Sequence, residues 1–140
     1  MKKKWIRISL IVVSVGIIVG VLALLWVFRK SPDSVGSGKP DVEVDAATLI
    51  SAFENDETTA NQLYLNKILS IKGTIISVKD NGKEVTITLS ADDAVSGIIC
   101  TFAKSNVNMK KLKPGTEITV KGICNGYLMD AVLSKCVLDE

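Results

Sequence analysis

The chain has 140 residues, enough for one small domain beside a short appendage, and it contains no histidine. That absence removes Ser-His-Asp and Cys-His nucleophile systems and the commonest metal ligand. The formal charge of +2 hides an asymmetry: beyond residue 30 there are eleven lysines, no arginine and all 15 acids, a net −4 that matches a phosphate backbone poorly.

Ile8 to Phe28 is a run of 21 residues without a charge. As a helix it is roughly 31 Å long, against a hydrocarbon core of about 30 Å, and the length predicts one transmembrane helix. Trp5 and Trp26 fall near its ends, where indole rings prefer the interface. Lys2, Lys3, Lys4 and Arg7 precede the run and only Arg29 and Lys30 follow closely, so we expect a cytoplasmic N-terminus with everything after Phe28 outside. The apolar run is longer than a secretory signal core and no small-residue cleavage site follows it. Residues 1–30 therefore read as an uncleaved signal anchor in the cell membrane, with the lipid bilayer its partner through residues 8–28. The first cysteine is Cys100, so a lipid-modified N-terminus has no support.

Residues 31–44 read as a flexible tether, rich in Ser, Gly and Pro over Ser31 to Pro40. The domain is expected over residues 45–140. Asp45 stands as an N-cap before a helix with Leu49, Ile50 and Phe53 on one face, and a second helical piece, Glu57 to Leu65, carries Ala60, Leu63 and Tyr64. Lys67 to Lys79 is a long strand whose apolar phase flips at Gly73, from Leu69 and Ile71 to Ile76 and Val78. Such a strand must bend or bulge there, and a bent first strand serving two halves of a small closed sheet predicts an OB-type barrel.

Asp80-Asn81-Gly82 is a turn. Glu84 to Ser90 then alternates, with Val85, Ile87 and Leu89 inward and Thr86 and Thr88 outward. A polar loop holds Asp92 and Asp93. Ile98, Cys100 and Phe102 share the next buried phase, Lys104 to Lys113 is a short helix or turn ended by Pro114-Gly115, and Thr116 to Cys124 and Tyr127 to Leu138 complete the set. The predicted class is α+β: a five-stranded OB-like β-barrel with an N-terminal helical cap, preceded by one transmembrane helix.

Few residues offer chemistry. Asp92-Asp93 reads as a solvated loop, since a Ca²⁺ site needs about 6–8 oxygen ligands. Three cysteines leave an odd thiol whichever pair forms: a Cys100–Cys136 disulfide on neighbouring strands, a Cys124–Cys136 bridge across an irregular hairpin, or buried free thiols all remain open. No metal site, no cofactor and no catalysis are expected. Lys104, Lys110, Lys111 and Lys113 form a basic run, read as a solvated face or a contact for anionic lipid or glycan.

Ala60-Asn61, Tyr64, Lys67, Gly73, Cys100-x-Phe102, Lys113-x-Gly115, Val120-Lys121-Gly122-x-Cys124-x-Gly126 and Leu133-x-x-Cys136 together resemble the tRNA_anti-like family over most of Asp45 to Leu138. The resemblance implies an exported or membrane-anchored bacterial OB-fold domain of unknown function, named for similarity to anticodon-binding domains, with no catalytic residues to carry over.

OB-folds meet ligands on the face of strands two and three and on the flanking loops. That maps the candidate ligand residues to Lys79, Asn81, Lys83, Thr86, Thr88, Thr101, Asn125 and Tyr127, with Tyr127 either a stacking platform or a packing residue. The expected role is a non-catalytic binding or envelope-accessory module for an envelope protein, glycan or small ligand. The alternatives are a single-stranded nucleic-acid-binding domain, which the charge disfavours, or a purely structural accessory subunit of a membrane complex.

Overall fold

A computed structural model describes residues 2–28, 35–36, 38–90 and 95–139, with side chains of the first helix described for residues 12–25. The chain divides into two compact units, Met1–Ser31 and Pro32–Glu140. The first contains α1 (Lys2–Phe28), whose described side chains are exposed on every side and, Ser14 apart, apolar, including Val12, Ile17, Leu22 and Leu25. Among the described residues no helix is long and apolar enough to cross a membrane. The expected flanking Trp5 and Trp26 side chains lie outside the described residues, as do the Asp92-Asp93 pair and much of the expected tether.

The second unit is a closed five-stranded barrel with helices, of the α+β class. It comprises β1 (Val42–Asp45), α2 (Ala46–Asn55), α3 (Glu57–Tyr64), β2 (Ile68–Asp80), β3 (Glu84–Ser90), β4 (Gly97–Ala103), two 3₁₀ turns (Lys104–Asn106, Met109–Lys111), β5 (Glu117–Leu128) and β6 (Asp130–Leu138). The sheet runs β1-β2-β3-β4-β6-β5 and closes by pairing β2 with β5; β4–β6 is parallel within the ring. That order is the five-strand Greek-key ring of an OB barrel.

One strand makes closure possible. Ile68–Thr74 pair with β5 and Thr74–Asp80 with β3, so β2 belongs to both halves of the ring. The bend comes later than the sequence suggests: the register shifts between Ile75 and Ser77, Ile75 is fully buried and Ile76 is turned out to solvent. The extra residue of this bulge is Ile76, which corrects the expectation of Ile76 as a core residue. Gly73 has a different task. A Cβ there would lie 3.2 Å from Ala46 Cβ and 3.3 Å from Leu89 Cβ, so its bare backbone lets α2 seat against the barrel.

A second correction concerns the tether, expected to reach residue 44. Val42–Asp45 instead form a parallel edge strand on β2, fastened by an Asp41 N–H to Ile68 C=O bond of 2.8 Å and an Ile68 N–H to Asp41 Oδ2 bond of 2.8 Å. Further upstream, Val35 N–H donates to Lys135 C=O at 2.9 Å.

Asp45 and Asp56 cap α2 and α3, their carboxylates accepting the Thr48 and Thr59 N–H groups. These bonds, with those from the Thr48 and Thr59 hydroxyls, hold both carboxyls below the usual aspartate range. Leu49, Ile50 and Phe53 of α2 and Ala60 and Tyr64 of α3 are buried in the core, whereas Leu63, expected beside them, is exposed. The barrel interior is filled by Leu69, Ile71, Val85, Ile87, Leu89, Ile98, Phe102, Val120 and Leu133, all fully buried. Each contributes on the order of 2 kcal/mol of apolar burial.

Candidate ligand-binding face

Strict alternation along β3 sends Val85, Ile87 and Leu89 inward, which obliges Thr86 and Thr88 to face out. Register then aligns neighbours across the outer surface: Lys79 opposes Thr86 and Thr86 opposes Thr101, while Ser77 opposes Thr88, Thr88 opposes Ile99 and Ile99 opposes Val132. Four of the predicted residues, Lys79, Thr86, Thr88 and Thr101, therefore share one face. Ser77 Oγ donates to Thr88 Oγ1 at 3.1 Å, which occupies that hydroxyl.

The β2–β3 loop is held rigidly above this face. Asn81 Oδ1 accepts the N–H groups of Lys83 and Glu84 at 3.1 and 2.7 Å, and Asp80 Oδ1 accepts that of Gly82 at 2.8 Å. Asn81 thus shapes the turn with its carbonyl. Asp80 also pairs with Lys104 at 2.8 Å, and Lys104 N–H donates to Lys83 C=O at 3.2 Å, tying the loop to the first 3₁₀ turn. The bond from Lys104 is the larger cause, with the Gly82 N–H, of a lowered Asp80 pKa. Lys83, the predicted cation of this loop, has no ion pair among the described residues.

Lys83 and Thr101 line a cleft of about 500 Å³ together with Glu84, Ser105, Ser134 and Lys135. Glu84, Ser105, Ser134 and Lys135 were not foreseen. The two from β6 sit where that strand is irregular: its register against β5 shifts twice, and Lys135 takes φ +54°. Period-two counting loses the face of a residue beyond a bulge.

Asn125 and Tyr127 lie elsewhere. Asn125 Oδ1 accepts from Ser134 Oγ at 3.2 Å, so it touches the rim of the cleft, but its other neighbours belong to a separate groove beside α3. Tyr127 is a packing residue. Its ring stacks on Phe53 and its hydroxyl lies 2.9 Å from Ser96 Oγ, which also donates to Glu54 Oε1 at 2.8 Å.

All three cysteines are free and buried. Cys100 and Cys136 occupy neighbouring strands, and the hydrogen bond between their thiols, with burial, pushes Cys100 well above an ordinary thiol; burial raises Cys124. Thiols so raised are poor nucleophiles. Among the described residues no group of three acidic, cysteine or histidine side chains is arranged to hold a metal ion.

The model of the tRNA_anti-like family matches residues 1–138. No curated protein sequence matches the chain. Among solved structures, the "putative nucleic acid-binding lipoprotein" of Klebsiella pneumoniae is similar with a TM-score of 0.59 at 14% identity, covering 70% of this chain and 92% of that one. At that identity the likeness shows the fold. Asparaginyl-tRNA synthetase of Pyrococcus horikoshii gives a TM-score of 0.41 at 16% identity over 56% of this chain and 21% of that one. A chain of the yeast Stn1 and Ten1 structure gives 0.45 at 12% identity over 78% of this chain and 68% of that one.

Proposed function

The chain belongs to the tRNA_anti-like family, and from that premise we propose that it is a non-catalytic binding module, anchored in the cell membrane by Ile8–Phe28 with its barrel outside the cytoplasm. Its ligand face is the outer surface of β3 and β4. The observation that carries this reading is the convergence of Lys79, Thr86 and Thr101 in one cross-strand row beside a cleft with Lys83 and Lys135 on its walls. Two ammonium groups with the hydroxyls of Thr101, Ser105 and Ser134 suit an anionic, oxygen-rich chain such as an acidic glycan. A binding role fits this lining, since Glu84 is the one carboxylate among the described residues of the cleft and the three thiols are buried. Anchoring confines the barrel near envelope ligands and raises their effective concentration.

A second reading, single-stranded nucleic-acid binding, is favoured by Lys79, Lys83, Lys104 and Lys135 around the same face and by the name of the Klebsiella protein. It lacks a stacking platform, since the Tyr127 ring is already packed on Phe53.

The test is anisotropy titration of the full-length chain in nanodiscs against a sulfated oligosaccharide and an oligothymidylate. Saturable oligosaccharide binding that falls at least fivefold in a Lys83→Ala, Lys135→Ala variant supports the proposal, and binding indifferent to both changes overturns the site. Tight oligothymidylate binding whose salt slope drops by about one for each lysine removed selects the second reading.

A further inference from the structure

On the far side of the Asn125–Ser134 hydrogen bond lies a groove of about 370 Å³ with a chemistry unlike that of the lysine cleft. One wall is a single face of α3 and its C-cap, Glu57, Asn61 and Leu65, spaced four residues apart. The other is the β5–β6 hairpin, with Tyr127, Leu128 and Val132. Gly126 forms the floor between them at φ +116°, a backbone conformation that suits glycine, and a Cβ there would come into ordinary contact with Leu65 Cδ1 at 3.6 Å.

The hairpin tip is the unusual part. Leu128 is 86% exposed and Met129 84%, and Met129 holds φ +81°, a conformation that disfavours any residue with a Cβ and that glycine or asparagine would adopt more easily. Neither side chain serves the core or the turn. Large apolar groups presented together at a hairpin tip mark an interaction surface, and methionine is enriched at such surfaces because it adapts its shape.

Charge selects the occupant. The one carboxylate or amine among the described lining residues is Glu57, which has no ion pair among the described residues. The nearby acids Asp130 and Glu54 are engaged by the Gly97 N–H and the Ser96 hydroxyl. No lysine is among the described residues that line the groove, so its single charge, Glu57, favours a cationic partner group over an anionic bilayer surface or the same wall of a second copy.

We infer that this groove and the hairpin tip beside it dock a protein segment whose apolar side chains pack on Leu65, Leu128 and Val132 in the groove and on Met129 at the tip, and whose lysine or arginine pairs with Glu57. The amides of half-buried Asn61 and exposed Asn125, the latter through its NH2 because its Oδ1 accepts from Ser134, line the groove where the backbone of that segment would run. The lysine cleft takes no part in this docking.

A phage-displayed random peptide library, panned on the full-length chain in nanodiscs with empty nanodiscs subtracted, tests this. The expected outcome is a set of peptides that combine an apolar cluster with a Lys or Arg. A synthetic peptide from that set should lose at least tenfold in affinity for a Leu128→Ser, Met129→Ser variant and at least threefold for Glu57→Lys, with no change for Lys83→Ala, Lys135→Ala. No enrichment over empty nanodiscs, or enriched peptides that ignore both groove variants, overturns the inference. Two further results also overturn it by assigning the tip to another occupant: quenching of a bimane probe on Leu128→Cys by nitroxide lipids in the disc, or a dimer in detergent that the Leu128→Ser, Met129→Ser change dissolves.

Discussion

The ring of Tyr127 lies on that of Phe53 with centroids 5.3 Å apart and planes 7° from parallel, which ties the β5–β6 hairpin to α2 through one aromatic contact. The Tyr127 hydroxyl extends the tie to Ser96, and through it to Glu54 on the same helix. We expect Tyr127→Ala to cost about 2–4 kcal/mol, because it removes an aromatic pair and leaves a void against Phe53. Tyr127→Phe should cost about 1 kcal/mol for the lost hydrogen bond. Urea denaturation of the full-length chain in detergent measures both. A Tyr127→Ala variant of unchanged midpoint would mean that the cap is not held by this stack.

Of the described glycines, Gly122 has the least room for a side chain. A Cβ at this position would lie 2.6 Å from Cys136 Sγ and 3.2 Å from Leu133 Cβ. Gly122→Ala should therefore destabilise the fold by about 1–3 kcal/mol through overpacking. Cys136→Ala in the same background removes the clashing atom, so the double variant should be more stable than the sum of the single changes predicts, and a thermal melt of all four forms reads the coupling. Strict additivity would show that Cys136 is not the atom in the way.

These two contacts also show where sequence reading succeeds. Val85, Ile87 and Leu89 announce their face because β3 pairs on both sides without a slip of its own and period two survives from end to end. Lys79, Thr86, Thr88 and Thr101 follow from that phase and one antiparallel register. β2 and β6 defeat the same method. The bulge at Ile76 displaces an apolar residue to solvent, and the slips of β6 against β5 hide Ser134 and Lys135 from the face they help to build. β1 is hidden for another reason: four residues next to an N-cap carry little periodic signal, and their parallel partner begins 27 residues further on, at Leu69 opposite Val42. The apolar tip at Leu128-Met129 was legible only as continuation of a strand, since burial is not a property of residue type.

The proposed membrane topology rests on the positive-inside argument and can be read directly. A cysteine placed at Ser105, exposed at the edge of the lysine cleft, should react with a membrane-impermeant maleimide in intact cells. One placed at Lys3 should react only after permeabilisation. The native thiols are buried and supply little background. The reverse pattern would put the barrel in the cytoplasm and remove the proposed envelope ligands from reach.

The cap of α2 should reveal itself by its pH dependence. Asp45 accepts the Thr48 N–H at 2.9 Å and the Thr48 hydroxyl at 2.8 Å, and the backbone bond is the leading cause of a pKa below the usual value of 3.8. A carboxyl with a lowered folded-state pKa binds its proton more weakly than in the unfolded chain. Its contribution is therefore complete above the unfolded value and is lost as pH falls through the folded one. At neutral pH, Asp45→Ala should cost about 1 kcal/mol, the usual worth of an N-cap. Asp45→Asn, which keeps the acceptor without the charge, should recover most of that loss and flatten the acid limb. The difference between wild type and Asp45→Asn should narrow steadily below pH 4 in urea titrations. A difference that stays constant down to pH 2 would show that the charge on Asp45 does not stabilise the helix, and that the cap acts through its geometry alone.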